Sequence, residues 1–500
     1  MVSFPPHLQH VPGPPLPLPR WVPAGTLAVL VTAILSAATR LEFSASISLS
    51  IARFKYWLPR STRSERLKFA FMIMTATFSM FVMGSPGFPL KLGIPALYIL
   101  GILLPVSSQF LLPASPILLW LLFFYSSGFL APSTRPHIWV SVLPTLETIW
   151  YGANISDILT RAGHPVLDVV AWIPYGVVHF AAPAFVAAFL FVFGPPGSIK
   201  FFGTAFGFLN LIGVIIQVTF PTAPPWYELR EGLTPANYSM KGSPAGLARI
   251  DALFGGHGYT VTFTNAPVPF GAFPSLHAAC ATMEALYCSY FFPLSIQIGG
   301  SLIDRILGKG KKIALDARIL YWSYAFWLYW CTMYLMHHYL VDLVGGGCLA
   351  TVCFYFFLDD TQRHYMEDSY PTNPSAPATF STLQASHSQL NLGTTSRGND
   401  EYALGDINTR DRPPIVNDEE RGFGARDPST LFALDEEDGQ EDEAGSRPSG
   451  NAGRSITPRP KTPSGTSAQQ TQGQATPKAK HNAGKEQGGD DSRDSFDQWG

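Results

Sequence analysis

Two short stretches set titratable side chains at the edges of long apolar runs. They are Phe273-Pro274-Ser275-Leu276-His277 and His338-Tyr339-Leu340-Val341-Asp342. On a helix, the i, i+4 spacing of His338 and Asp342 puts both side chains on one face. A carboxylate on one ring nitrogen fixes the tautomer of an imidazole and stabilises its cation. Such a histidine can attack phosphorus and carry a phosphoryl group covalently. His277, where another helix begins, could when protonated give its proton to a leaving alkoxide. Backbone N–H groups at that helix start, together with Ser275, could receive phosphate oxygens. A single histidine at a membrane edge is ordinarily interfacial, and His-x-x-x-Asp spacing arises by chance. The two stretches on one predicted membrane face carry the argument together. His337 is read as a supporting or interfacial residue.

Long apolar elements must position these groups. Hydrophobic residues make up 47% of 500, and aromatics 13%, although a polar tail dilutes both figures. Several runs approach the roughly 20 residues that cross a bilayer. The expected class is an all-α polytopic membrane protein. About eight transmembrane helices are expected, near 68–84, 93–111, 114–131, 168–194, 199–220, 277–297, 318–336 and 340–358. Residues 21–38 could span or lie in the interface. Prolines inside such helices are tolerated where neighbours satisfy the freed carbonyls. Ionisable groups at membrane depth are costly and tend to be functional. The net charge of −2 makes no case for nucleic acid. The five cysteines lack metal-ligand or disulfide spacing and read as small buried hydrophobes.

Three regions follow. Residues 1–66 form an N-terminal cytoplasmic or interfacial segment, Pro-rich at first and then basic. The basic block, Arg53, Lys55, Arg60, Arg63, Arg66 and Lys68, runs just past that boundary and is opposed within 53–68 only by Glu65. Residues 67–358 form the transmembrane catalytic region. Residues 359–500 are poor in apolar side chains and are expected to be a disordered cytoplasmic tail. The tail holds the acidic run Asp435-Glu436-Glu437-Asp438 and three Thr-Pro pairs open to phosphorylation, at Thr457, Thr462 and Thr476. Positive residues mark the cytoplasmic side. Arg305, Lys309, Lys311 and Lys312 in the loop 298–317 agree with the first basic block on one topology. That topology puts 221–276, His277 and His338 on the lumenal side. The loop 221–276 is a disordered connector or, given its Trp and Tyr content, a structured lid. Asn154-Ile155-Ser156 and Asn237-Tyr238-Ser239 are candidate glycosylation sequons.

Pro274-Ser275-Leu276-His277 and His338-x-x-x-Asp342 resemble two signature motifs of the type 2 phosphatidic acid phosphatase superfamily. A closer similarity, to the fungal inositol phosphorylceramide synthases, covers most of the membrane portion. It rests on 271–278, 337–343, Ala223-Pro224-Pro225-Trp226-Tyr227-Glu228, Pro235-Ala236-Asn237-Tyr238-Ser239-Met240 and Leu143-Pro144-Thr145-Leu146-Glu147-Thr148. The resemblance implies a type 2 phosphatidic acid phosphatase-like helical core. It implies transfer of phosphoinositol from phosphatidylinositol to the primary hydroxyl of ceramide, releasing diacylglycerol. His338 would be the nucleophile, Asp342 its orienting partner and His277 the acid and base. Ser275, Lys241, Arg249 and Tyr339 would bind substrate. A Golgi membrane location with a lumenal site, a small accessory membrane subunit and inhibition by aureobasidin A are implied as well. No metal or other cofactor is implied.

The chain departs from the superfamily pattern in places. Leu276 stands where Gly usually precedes the motif histidine. Cys331-Thr332 stand where Ser-Arg usually precede the nucleophile. Lys241 and Arg249 do not reproduce the Lys-x6-Arg-Pro spacing. A phosphodiester carries one negative charge, which suits a less cationic site. Two rival readings stay open. One is a lumenal lipid phosphatase with water as acceptor. The other is a transporter or scaffold that only binds lipid, although no repeat of two similar halves is visible.

Overall fold

The computed structural model describes residues 4–299 and 313–369, apart from 15, 18 and 20–24. The chain divides into two units, Met1–Ile407 and Asn408–Gly500. The second lies outside the described residues. So do the basic positions Arg305, Lys309, Lys311 and Lys312, and the tail beyond Ser369 with its acidic run and Thr-Pro pairs.

The described chain is mostly helical. In order it forms α1 (Thr26–Thr39), α2 (Ile47–Arg60), α3 (Arg63–Val82), α4 (Leu90–Leu103) and α5 (Pro105–Ser127). Two short helices follow, α6 (Val142–Tyr151) and α7 (Ile155–Thr160). Then come α8 (Pro165–Phe193) and α9 (Ser198–Thr219). Next are α10 (Pro225–Glu231), α11 (Leu247–Phe254), α12 (Gly258–Thr264) and α13 (Leu276–Phe291). A small ribbon of β1 (Ser295–Ile298) and β2 (Ile313–Asp316) leads to α14 (Ala317–Tyr334), α15 (Leu340–Phe357) and α16 (Asp360–Ser369). The ribbon is antiparallel, with Ser295 opposite Asp316 and Ile298 opposite Ile313. Among the described residues, four helices are long and apolar enough to cross a membrane: α5, α8, α9 and α15. The protein is a multi-pass membrane protein.

Local chemistry sets several boundaries. Thr62 and Glu65 form a reciprocal capping box at the start of α3. The expected spans 93–111 and 114–131 are instead α4 and α5, divided at Leu104. Pro105 opens α5, where a missing N–H costs nothing, and Pro113 and Pro116 are carried inside it. The expected span 277–297 stops at Phe291, because Pro293 cannot extend the helix, and β1 follows. The tail is not irregular from 359. Asp359 Oδ1 accepts the Gln362 N–H at 2.9 Å, and Gln362 Nε2 donates to the Pro196 carbonyl at 2.8 Å, which anchors α16.

Helix α9 packs against α5, α8, α13 and α15, and most of its side chains are buried. Gly203 and Gly207, four residues apart, face the α5 backbone at Pro113 and Pro116. A Cβ at either would collide with it, so the two helices approach only because small residues line the seam. At Gly346, α15 meets the Ser275 carbonyl in the same way. One core cluster fills the space between α8, α9, α13 and α15, including Phe202, Leu209, Met283, Tyr287 and Phe354. A second lies between α8, α11, α13 and α14.

The loop 221–276 is folded. It contains α10, α11 and α12. Its first end is stitched to residue 139, with Ala223 N donating to the Trp139 carbonyl at 3.0 Å, and its two ends to each other, with Thr222 N donating to the Phe270 carbonyl at 2.8 Å. Ile138, Val140, Trp226, Tyr227 and Phe270 bury a core of their own beneath it.

Candidate active site

Helix α14 ends in a sharp turn before α15 begins. Met336 takes a left-handed conformation (φ 63°). The Thr332 carbonyl then accepts N–H groups from both His337 (3.0 Å) and His338 (3.3 Å). His338 therefore sits before α15 rather than on it, with Tyr339 at the cap and Asp342 in the first turn. The expected shared helical face is absent, but the two side chains still meet. His338 Nδ1 lies 3.0 Å from Asp342 Oδ2, and Asp342 is fully buried.

His277 reaches the same place from α13. Ser275 caps that helix, its hydroxyl accepting the Ala278 N–H at 3.3 Å, and its own N–H donates to the Asp342 carbonyl at 2.9 Å. His277 Nδ1 then lies 3.1 Å from His338 Nε2. Asp342, His338 and His277 form one hydrogen-bonded line. With Nδ1–H donating to the carboxylate, His338 Nε2 keeps its lone pair towards His277. Burial holds the His338 imidazole below its ordinary pKa, which favours that neutral form.

Three aromatic residues surround the pair. Tyr175, on a π-helical turn of α8 (Ile173–Val178), stacks between His277 (ring centroids 4.6 Å) and His337 (5.2 Å). His179 approaches His277 at 4.9 Å. Tyr175 Oη, His179 Nδ1 and His337 Nε2 are buried and have no partner among the described residues. Such π turns recur at functional sites. Burial pushes the His337 pKa down to about 3. Sequence reasoning did not single out Tyr175 or His179. A lone histidine inside the apolar run 168–194 was the available signal.

The other expected substrate-binding residues are dispersed. Arg249 on α11 is engaged by Asp168, with Nε donating to both carboxylate oxygens at 3.0 Å and Nη2 to Oδ1 at 2.8 Å. Lys241 is exposed in the loop before α11. Tyr339 is fully buried, its hydroxyl donating to Glu228 Oε2 at 2.7 Å. Where the superfamily places its arginine, Thr332 is buried and its hydroxyl donates to the Tyr329 carbonyl at 2.8 Å. The sequon residue Asn154 is also occupied, capping α7 through Asp157 N and donating to Glu228 Oε2 at 2.9 Å. Among the described residues, no three His, Cys, Asp or Glu side chains are grouped to hold a metal ion.

A helical membrane scaffold with a carboxylate–imidazole–imidazole line at one end defines a class. Residues 138–299 match the model of the PAP2 superfamily. Curated relatives narrow the similarity. The chain is 47% identical over 290 residues to the inositol phosphorylceramide synthase catalytic subunit of Schizosaccharomyces pombe, covering 58% of this chain and 64% of that protein. It is 42% identical over 323 residues to the inositol phosphorylceramide synthase of Candida albicans, covering 64% and 63%. It is 46% identical over 254 residues to the catalytic subunit of Saccharomyces cerevisiae, covering 51% and 58%. The chain thus spans somewhat under two thirds of the length of each. No solved structure matches it.

Proposed function

We propose that this protein is an inositol phosphorylceramide synthase. It moves phosphoinositol from phosphatidylinositol to the primary hydroxyl of ceramide, giving inositol phosphorylceramide and diacylglycerol. The observation that carries the reading is the Asp342–His338–His277 line, in a chain similar to proteins of that name. His338 Nε2 attacks phosphorus and the P–O bond to diacylglycerol breaks, with His277 giving the departing oxygen its proton. The ceramide hydroxyl then attacks the phosphoinositol-histidine, the P–N bond to His338 breaks, and His277 takes back a proton, so charge and protons balance. Asp342 stabilises the positive charge that develops on His338. The two rings lie too close to hold an in-line phosphorus between them, so the phosphodiester displaces their mutual hydrogen bond as it binds. Ser275 and the N–H groups at the start of α13 receive phosphate oxygens. Lys241, exposed in the loop before α11, is the candidate to meet the phosphoinositol head group, whereas Arg249 is held by Asp168 and the buried Tyr339 by Glu228, so those two support the site from behind.

The same reading carries a Golgi membrane location with the site facing the lumen. It also carries a small accessory membrane subunit and inhibition by aureobasidin A. The test supplies phosphatidylinositol labelled in its inositol phosphate, with and without ceramide, and quenches in alkali. Acid-labile label on the protein is expected, passing to ceramide when ceramide is added. His338→Ala abolishes both steps, and His277→Ala slows label formation by roughly 10²–10⁴. Label on a His338→Ala protein would refute the nucleophile. Release of inositol phosphate unaffected by ceramide would make the protein a hydrolase.

A further inference from the structure

Glu147 takes no part in the chemistry above, yet its side chain is wholly buried. A buried carboxyl is costly unless its oxygens are paired. One of them is. Glu147 Oε1 accepts the Ile155 N–H at 3.2 Å and the Leu340 N–H at 3.3 Å. Those residues are the first of α7 and the first of α15. Each helix holds one side of His338. From α15, Asp342 Oδ2 grips the ring at Nδ1. From α7, the Ser156 hydroxyl donates to the His338 carbonyl at 2.7 Å. Glu147 Oε2 is buried and has no partner among the described residues.

Glu228 forms an outer bracket on the same two segments, accepting from Asn154 beside α7 and from Tyr339 beside α15. Two acidic side chains from distant parts of the chain thus converge on Asn154 and Ile155 on one side of His338 and on Tyr339 and Leu340 on the other. Glu228 engages side chains, whereas Glu147 engages the backbone itself, which cannot rotate away.

Resting on the reaction proposed above, we propose that Glu147 is a positioning residue for His338. A single oxygen ties the start of α7 to the start of α15, and so fixes the imidazole against Asp342 and the incoming phosphorus. What matters is the reach of the side chain, more than its charge. Burial, with Asp342 and Glu228 close by, pushes the Glu147 pKa up to about 7. The neutral acid still accepts through Oε1, as would an amide.

Reach and charge separate in two variants of the full-length protein. Glu147→Gln keeps the reach and loses the charge, while Glu147→Asp keeps the charge and shortens the arm by one methylene. Misplacing a reacting group by about 1 Å can cost about 10²-fold. Glu147→Asp should therefore slow protein labelling by phosphatidylinositol by about 10²-fold, with the half-saturating concentration moved less than about threefold. Glu147→Gln should lose no more than about fivefold. Overall turnover and thermal stability are read in parallel. Wild-type protein that turns over without label would refute the histidine nucleophile, while the order of Gln over Asp in turnover would still decide on Glu147. Glu147→Asp at the wild-type rate would overturn the proposal. So would equal losses in both variants that track their losses of thermal stability.

Discussion

The seam between α5 and α9 and the turn from α14 into α15 both hold backbone against backbone, by different means. At the seam, Gly203 and Gly207 omit side chains, so that Pro113 and Pro116 of α5 come into contact. At the turn, polar groups do the holding: the Thr332 carbonyl, the Ser156 hydroxyl and Glu147 Oε1. Steric seams tolerate small shifts, because dispersion falls off gradually and lacks direction. Hydrogen bonds fix angle as well as distance. The protein uses the directional kind around His338, where the proposed reaction would bring an imidazole to phosphorus. Gly346 is where the two kinds meet, a steric contact of α15 that also sets Asp342 beside Ser275.

Substitutions on the two sides should therefore separate stability from rate. Gly346→Val and Gly207→Val both force a side chain into backbone and should each cost about 1–3 kcal/mol of stability. Only Gly346→Val moves α15 against α13. Its folded fraction should lose about 10²-fold in protein labelling, while Gly207→Val stays within several-fold of wild type. Thermal melts and labelling rates on the same preparations check this. Equal rate losses in both would erase the distinction between seam and turn. A smaller effect is expected at Ser156. Ser156→Ala removes one hydrogen bond to the His338 carbonyl, worth about 1 kcal/mol, and should slow labelling about fivefold. No change in rate with a lowered melting temperature would make that bond structural only.

Of the two seam helices, α9 was legible in the sequence and α5 was not, its start at Pro105 falling inside the expected span 93–111. Hydropathy located α8, α9 and α15 nearly to the residue, because crossing a bilayer demands length and apolarity together. The grouping of the candidate site was legible as well. His277, His338 and Asp342 stand out as ionisable groups at the ends of apolar runs, and the structure joins them. Their support was not. Glu147 and Glu228 occur in stretches that resembled a family, but nothing local says that they converge on the backbone and side chains around residue 338. Such convergence depends on long-range folding of α6, α7 and α10. Lys241 and Arg249 show the converse. Basic charge near an anion site suggests a ligand, but Asp168 on α8 engages Arg249, and only tertiary structure could reveal that pair.

Protonation offers the smallest and most specific test of the polar side. His337, packed between Tyr175 and Phe263, has its pKa pushed by burial from 6.5 down to about 3. Below 6.5 the unfolded chain takes up a proton there that the folded chain refuses, so this residue costs stability progressively as pH falls towards 3. Glu147 works in the opposite direction. Its pKa rises from 4.5 to about 7 on folding, with Asp342 and Glu228 as its charged neighbours. Between those values the unfolded chain releases a proton that the folded chain keeps, so its contribution is lost as pH rises. The change in melting temperature from pH 5 to pH 7 should therefore be most positive in Glu147→Gln, intermediate in wild type and least positive in His337→Gln, with differences of a few degrees. Gly207→Val, on the steric side, should melt lower at both pH values yet show the wild-type change between them. A His337→Gln protein with the larger pH response would mean that this histidine is already charged in the folded protein, and that the aromatic wall beside His277 and His338 is a wetter place than its burial indicates.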